Sequence, residues 1–167
     1  FLNSSGLAAI TANDVNNGST ADCGLQSLGI DISSFNCSNV GTPVIVTLTV
    51  TDINGGTSTC ESTVTVLDET DPTAVCQDVT VQLNGAGTGS TTAAAANNGS
   101  SDACGIESIS LSQTTFGCAD IGLNAETLTV TDVNGNTSTC SVTVTVEDNV
   151  DPTAVCQDVT VQLDANG

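Results

Sequence analysis

Apolar and polar residues alternate along most of the chain, and this pattern predicts half-buried β-strands rather than helices. The alternation is clearest in five stretches, residues 74–83, 91–96, 106–112, 126–132 and 138–148. Asn-Gly pairs separate several of them, and the pair before the last stretch predicts a β-hairpin, because this dipeptide favours the positive φ angles of a tight turn. Short antiparallel strands at this spacing predict an all-β fold, a disulfide-stapled β-sandwich of immunoglobulin-like type.

The pattern repeats along the chain. The run DPTAVCQDVTVQL occupies residues 71–83 and recurs unchanged 80 residues later, at residues 151–163. We therefore expect tandem repeats of about 80 residues and divide the chain into three parts. The N-terminal segment, residues 1–70, is predicted to be a repeat without its first strand, and the middle segment, residues 71–150, a complete repeat. The C-terminal tail, residues 151–167, is predicted to be the first strand of a further repeat.

Charge narrows the possible functions. The 167 residues include no Lys, Arg or His and 19 Asp and Glu, which gives a formal net charge of −19. Most general acid–base and nucleophilic mechanisms need a His or Lys base, so we expect no enzymatic activity. Hydrolysis by paired carboxylates requires two acids across a cleft, whereas these acids fall at junctions and turns. Nucleic-acid binding depends on cationic side chains and is excluded, and no apolar run is long enough to span a bilayer.

Eight cysteines in so short a chain, with no CxxC pair, predict disulfides formed in an oxidising compartment. We therefore expect an extracellular or cell-surface protein. The alternative is a cytosolic protein with buried free thiols. The sequence starts without Met or a signal peptide, so we expect a mature product or an internal fragment.

Three features together resemble a known family: a Cys near the first strand, the DACG turn at residues 102–105, and the closing VTDVNGNTSTCSVTVTV hairpin at residues 130–146. They are similar to the hyalin-repeat (HYR) group of immunoglobulin-like domains, in the Cys-rich form repeated in giant surface adhesins of Bacteroidetes. The resemblance covers the whole chain. It implies extracellular adhesion and spacing, and it supplies no catalytic residues.

Strand geometry in such a sandwich suggests the disulfides. The first and last strands often run parallel at one edge, and Cys76 and Cys140 each precede a Val-Thr-Val run, so they are predicted to pair. The remaining pairs follow by default within each repeat: Cys104 with Cys118 and Cys23 with Cys37.

Cys60 and Cys156 then have no partner within their own repeats. In one hypothesis the tail of one subunit enters the N-terminal segment of its neighbour by donor-strand addition, with alternate apolar side chains buried and Cys156 beside Cys60. The side chains predicted to be buried are Val159, Val161 and Leu163. In the other hypothesis the chain is a window cut from a longer run of covalent repeats.

Acidic residues concentrate at the predicted junctions, in LDETDP at residues 67–72 and VEDNVDP at residues 146–152. In the predicted fold, two turns return to the same pole: the loop after the second strand, with Asn97, Asn98 and Asp102, and the final hairpin turn, with Asp132, Asn134 and Asn136. No basic residue is available to neutralise the carboxylates. Hard oxygen ligands of this kind predict structural Ca²⁺. The candidate ligands are Asp68, Glu69, Asp71, Asn97, Asp102, Asp132, Asn134, Glu147, Asp148 and Asp151, with Asp14 and Asp52 in the N-terminal segment. The alternative is solvated linker charge and Asn-Gly pairs that serve only as turns.

Together these expectations indicate a structural subunit or segment of an extracellular fibre or adhesin stalk. Its junctions would be stiffened by calcium, its partners would be further copies of itself, and it could polymerise through donor strands and disulfides. The alternative function is a non-catalytic accessory module that binds a ligand or carbohydrate. Sugar sites usually present aromatic platforms, and the chain has three Phe and no Trp or Tyr.

Overall fold

The computed structural model describes residues 1–164, and its fold is all-β. This range contains eleven strands and two α-helices of four residues each. The N-terminal segment comprises β1 (Leu7–Ala9), α1 (Ala12–Val15), β2 (Leu25–Ile30), β3 (Ser34–Asn36), β4 (Val44–Asp52) and β5 (Thr57–Val64). The middle segment comprises β6 (Val79–Gln82), β7 (Thr88–Ser90), α2 (Ala93–Ala96), β8 (Ile106–Leu111), β9 (Thr115–Gly117), β10 (Gly122–Asp132) and β11 (Thr137–Glu147).

The middle segment has a four-stranded sheet in the order β6-β11-β10-β8 and a two-stranded ribbon of β7 and β9. Neighbours in the sheet are antiparallel except β6 and β11, which run parallel with Val79 opposite Val144. The predicted parallel pairing of first and last strands is therefore confirmed. Apolar side chains of the sheet pack against Phe116 of the ribbon and Ala96 of α2, and these residues form the larger of two cores.

The N-terminal segment has a similar strand order with one strand fewer. Its sheet runs β2-β4-β5, and β1 pairs with β3. Within residues 1–164, no strand pairs with the outer side of β5, so this strand is an edge. Its smaller core is built around Leu2, Phe35, Val46 and Val66.

The strand predicted at residues 91–96 is wrong, because this stretch forms α2. The Thr92 hydroxyl oxygen accepts the backbone N–H of Ala95 at 3.2 Å and caps the helix. Four consecutive alanines have high helix propensity and no true apolar–polar alternation. The hairpin at Asn134-Gly135 is confirmed, with Gly135 at φ 93° and the N–H of Asp132 donating to the carbonyl of Asn136 at 3.0 Å.

No helix within residues 1–164 has the length and apolar character needed to cross a membrane.

Candidate junction site

The run at residues 71–83 packs against two parts of the middle segment. Thr73 and Ser101 exchange two backbone hydrogen bonds of 2.8 and 3.0 Å, and the N–H of Gln77 donates to the carbonyl of Ala96 at 2.9 Å. Further along, β6 pairs with β11, and Val81 and Leu83 are buried in the core. This run therefore links the loop after α2 to the last strand.

A disulfide joins this run to the sheet. Cys76 and Cys140 are bonded, with their Cα atoms 6.1 Å apart. This pair is the one predicted from the parallel first and last strands, and the prediction is confirmed.

The other disulfide joins the two segments to each other. Cys37 is bonded to Cys104, with a Cα–Cα distance of 5.2 Å and 67 residues between them in sequence. The predicted pairs Cys23–Cys37 and Cys104–Cys118 are therefore wrong. Among residues 1–164, Cys23, Cys60, Cys118 and Cys156 are exposed and outside any disulfide.

Cys104 and Cys118 do not pair because β8 lies between them and separates them in space. Cys104 precedes this six-residue strand and Cys118 follows it. A strand of that length advances the chain by about 20 Å, and the Cα atoms of a disulfide lie within about 7 Å of each other. Cys104 and Cys118 thus lie towards opposite poles of the middle segment, although few residues separate them in sequence.

The linker between the segments is held by the turn of the β10–β11 hairpin. The Asn134 side-chain amide donates to Oδ2 of the buried Asp68 at 2.8 Å. The amide of Asn136 donates to the backbone carbonyls of Asp68 and Thr70 at 3.2 and 3.3 Å. The sequence places Asn136 in the hairpin turn that is predicted to bring oxygen ligands to this pole, but its side chain acts here as a hydrogen-bond donor. The first hairpin reads NGG where the second reads NGN, so this donor is present only in the second hairpin.

Asp132 anchors this turn from inside the protein. Its side chain is fully buried, and Oδ1 accepts the backbone N–H groups of Asn134 and Asn136 at 2.9 and 2.8 Å. Oδ2 accepts the side-chain amide of Asn136 at 2.8 Å. Burial alone would raise the pKa of Asp132, but these hydrogen bonds outweigh it and hold the pKa below its ordinary value.

A second carboxylate, that of Asp102, lies beside Asp68. Single ligand atoms of Asp68, Asp102 and Cys104 lie within 4.8 Å of one another. The Cys104 sulfur belongs to a disulfide and offers no thiolate, so this cluster supplies two carboxylates. Asp102 Oδ1 also accepts the backbone N–H groups of Cys104 and Gly105 at 2.7 and 3.1 Å. Rotating the Asn134 amide by 180° would present its oxygen in place of its nitrogen, so this side chain can face either a carboxylate or a cation.

The other predicted ligands are not part of this three-residue cluster, although Asp71 lines an open cavity of about 300 Å³ together with Asp102. Asp14 accepts the backbone N–H and hydroxyl of Thr11 at 2.7 and 2.8 Å, and these bonds lower its pKa. Asp52 accepts two backbone N–H groups in the first hairpin, and Asn97 accepts one from Ser100. Glu69, Asp71, Glu147, Asp148 and Asp151 are exposed.

The tail presents the second copy of the run in a different state. Residues 151–164 are exposed and contain no strand. Val161 and Leu163 are each 78% exposed, whereas their counterparts Val81 and Leu83 are each 4% exposed. The same sequence is therefore core in one place and solvent-exposed in the other.

The N-terminal segment has an open groove beside β4 and β5. Val50 and Val64 are partly exposed, although their counterparts Val130 and Val144 are completely buried. A groove of about 250 Å³ lies beside the exposed Cys60. It is lined by Ser19, Thr20, Val50, Ser58, Thr59 and Cys60.

No model of a protein family matches this sequence, and no curated protein matches it.

Proposed function

We propose that the chain is a structural segment of an extracellular fibre or surface stalk and has no catalytic role. In this proposal, copies join end to end because the tail of one copy fills the open edge of the N-terminal segment of the next. One observation carries it: residues 71–83 are packed against β11, while the identical residues 151–163 are exposed and the matching edge at β5 is open. The disulfides and the high acidic charge agree with an extracellular location.

The receiving edge repeats the partners used in the middle segment. Thr20 stands at the position of Ser101, and Val15 at the position of Ala96, whose carbonyl accepts a bond from the inserted run. In the parallel register of β6 and β11, Val159 of the donor would lie opposite Val64.

The insertion has a natural end point. Leu2 is 5% exposed and its N–H donates to the carbonyl of Leu67 at 3.0 Å, just as Leu83 donates to Glu147 at 2.8 Å. Leu2 therefore already occupies the position that a donor Leu163 would take. The donated strand is accordingly residues 151–162, and Leu163 is not one of its buried side chains.

One contact of the packed run at residues 71–83 would differ for a tail inserted into the N-terminal segment. A Cβ on Gly89 would lie 2.5 Å from Cγ1 of Val81, and Ala8 stands at the position of Gly89 in the N-terminal segment. A donor Val161 must therefore take another rotamer or shift slightly outward, which adds a small strain to strand addition.

The free energies involved indicate that strand addition alone would hold two copies together only weakly. Burial of Val159 and Val161 contributes about 1.5–3 kcal/mol each, whereas association costs about 4–15 kcal/mol in lost freedom. Each copy also carries a net charge of −19, so copies repel at low ionic strength. A Cys156–Cys60 disulfide, equivalent to Cys76–Cys140, would make the junction permanent.

Calcium at the Asp68–Asp102 pair is part of this proposal. The pair joins two carboxylates of adjacent segments, and the chain has no Lys, Arg or His to neutralise them. A Ca²⁺ ion there would stiffen the angle between the segments.

Electron microscopy of the purified full chain tests the assembly. After oxidation, the wild-type protein is expected to form filaments, and Val161→Asp is expected to abolish them by placing a charge in the receiving core. Val155→Asp is the matched control, because it adds the same charge to the tail at a position whose counterpart Val75 is 37% exposed. Dispersed particles in the wild-type sample, or filaments that persist in Val161→Asp, would contradict strand addition.

A further inference from the structure

The disulfide between the segments recurs in incomplete form at both ends of the molecule. Cys37 is the first residue of a 3₁₀ turn, and its partner Cys104 lies in the turn before β8. One repeat period later, Cys118 occupies the position of Cys37, and one period earlier, Cys23 occupies the position of Cys104. Both Cys23 and Cys118 are exposed and unbonded within residues 1–164.

Cys118 has the local setting of Cys37. Each begins a 3₁₀ turn after a short strand with a buried Phe. The Cys118 sulfur lies 3.7 Å from the carbonyl oxygen of Gly87, and the Cys37 sulfur lies 3.8 Å from that of Gly6.

These two glycines fix the position of the sulfur atom. Gly6 and Gly87 have φ angles of 69° and 72°, and a Cβ on either would come within 2.7 Å of the adjacent sulfur. The free Cys118 thiol is therefore held in the place from which Cys37 forms its disulfide.

Cys23 likewise has the setting of Cys104. Each is followed by a glycine with positive φ, 104° at Gly24 and 110° at Gly105. The carbonyls of these glycines accept N–H groups of the adjacent hairpins, from Ile53 at 3.2 Å and from Val133 at 3.1 Å. One difference is local: Asp102, which bonds the N–H of Cys104, is replaced by Ala21 at the equivalent position.

We propose that Cys118 of one copy forms a disulfide with Cys23 of the next copy. This inference rests on the proposed end-to-end assembly, and it adds a second covalent bond to each junction beside Cys156–Cys60. The geometry is that of the junction between the N-terminal and middle segments, where Cys37–Cys104 and Cys76–Cys140 occur together. The four cysteines that lack a partner within one copy are then all paired between copies.

The chemistry is a simple oxidation. Two thiols lose two protons and two electrons as the S–S bond forms, and a disulfide oxidant such as oxidised glutathione accepts them and becomes two thiols. The bond joins the facing poles of consecutive copies, so tension along the fibre passes through it and is not borne by the donated strand alone.

Isotope mixing with disulfide mapping tests the bond. Chains of residues 1–167, labelled with ¹⁴N or ¹⁵N, are mixed in reduced form, oxidised with a glutathione buffer, alkylated and cleaved at acidic residues. The chain has no Lys or Arg for trypsin, and Glu107 lies between Cys104 and Cys118 and allows their peptides to be separated. We expect Cys23–Cys118 peptide pairs, and about half of these pairs should have one light and one heavy arm, because random pairing of equal amounts of the two forms gives that fraction.

Two variants serve as matched controls. Cys118→Ser is expected to leave Cys23 as an alkylated thiol while mixed Cys60–Cys156 pairs persist. Cys156→Ser is expected to leave Cys60 as an alkylated thiol while mixed Cys23–Cys118 pairs persist.

The outcomes separate this inference from the proposed function. Mixed Cys60–Cys156 pairs with Cys23 and Cys118 recovered as free thiols would overturn the second disulfide and leave the fibre intact. A Cys23–Cys118 pair found only as light–light and heavy–heavy would also overturn it, because the bond would then lie within one chain. The absence of every mixed pair, together with dispersed particles, would overturn the end-to-end assembly itself.

Discussion

The two copies of DPTAVCQDVTVQL have identical sequences and opposite environments. At residues 71–83 the run has a disulfide, a parallel neighbour and two buried apolar side chains. At residues 151–163 it is exposed throughout and contains no strand. The difference shows that alternation permits a strand and that a receiving edge is needed to form one, because an isolated strand has no partner for its backbone groups.

The N-terminal and middle segments show the same difference from the receiving side. Where the run is present, Val130 and Val144 are completely buried, and where it is missing, Val50 and Val64 remain partly exposed. The core of the N-terminal segment is therefore less completely buried than the core of the middle segment.

The largest expected difference in unfolding free energy is between the same Val→Asp substitution made in one copy of the run and in the other. Val81→Asp buries an unpaired carboxylate in the core of the middle segment, so we expect a loss of more than about 4 kcal/mol of unfolding free energy. Val161→Asp adds the same charge to an exposed residue, so the stability of the unassembled chain should change by less than about 0.5 kcal/mol. Urea denaturation of reduced, unassembled protein measures both, and equal effects would remove the distinction between the copies.

The second contrast uses the cysteines of the same run. Cys76→Ser opens the Cys76–Cys140 disulfide and should cost about 2–5 kcal/mol. Cys156→Ser removes an exposed thiol and should leave the melting temperature of the unassembled chain unchanged. Thermal denaturation followed by circular dichroism measures the pair, and a large loss in Cys156→Ser would mean that this residue is already bonded within one copy.

Calcium should stabilise the junction between the N-terminal and middle segments of one chain, where Cys37 is bonded to Cys104. Chelation with EDTA is expected to lower the melting temperature, and Ca²⁺ should restore it. At one hundred times its dissociation constant, Ca²⁺ should add about 2.7 kcal/mol to the unfolding free energy. Mg²⁺ should restore it poorly, because it requires tighter octahedral geometry.

Asp68→Asn should abolish the calcium response, and Asp148→Asn, at the exposed equivalent position, should retain it. Identical melting of the wild-type protein with EDTA and with Ca²⁺ at low salt would contradict the calcium site.

The smallest contrast compares the two hairpins. Asp132→Asn places an amide nitrogen against the Asn136 amide and should cost about 2 kcal/mol, typical of a hydrogen bond to a charged group. Asp52→Asn should cost less than about 0.5 kcal/mol, because Gly56 stands at the position of Asn136 and offers no side-chain donor.

The pH dependence of the hairpin contrast follows from the lowered pKa of Asp132. A lowered pKa stabilises the fold above the ordinary Asp value of about 3.9, and this contribution is lost as pH falls through the folded-state pKa. Urea titrations at several pH values should therefore show the wild type and Asp132→Asn converging below about pH 4. A constant difference down to pH 3 would contradict this role for the charge.

Local pattern was enough to predict β8, β10, β11 and the hairpin between the last two, because alternation and Asn-Gly turns act over a few residues. The Cys76–Cys140 pair followed from one rule about the first and last strands. By contrast, the Cys37–Cys104 pair depends on which poles of the two segments face each other, and sequence distance carries no such information. The short helix α2 was missed because four alanines show no polar side on which to judge periodicity.

The calcium ligands were predicted too broadly for a related reason. Acidic residues cluster in sequence at both junctions, but among the carboxylates of residues 1–164 the fold brings only Asp68 and Asp102 within ligand distance of each other. Asn134 lies beside Asp68, and Asp132 is buried behind the hairpin turn. The others cap turns or lie exposed, which a count of carboxylates could not distinguish.

A cryo-EM reconstruction of the oxidised filaments would show whether the tail of one copy completes the N-terminal segment of the next. We expect a strand beside β5 in parallel register, with Val159 opposite Val64, and continuous density between Cys156 and Cys60 of adjoining copies. A β5 edge without a neighbouring strand, or one covered by a different part of the chain, would contradict it.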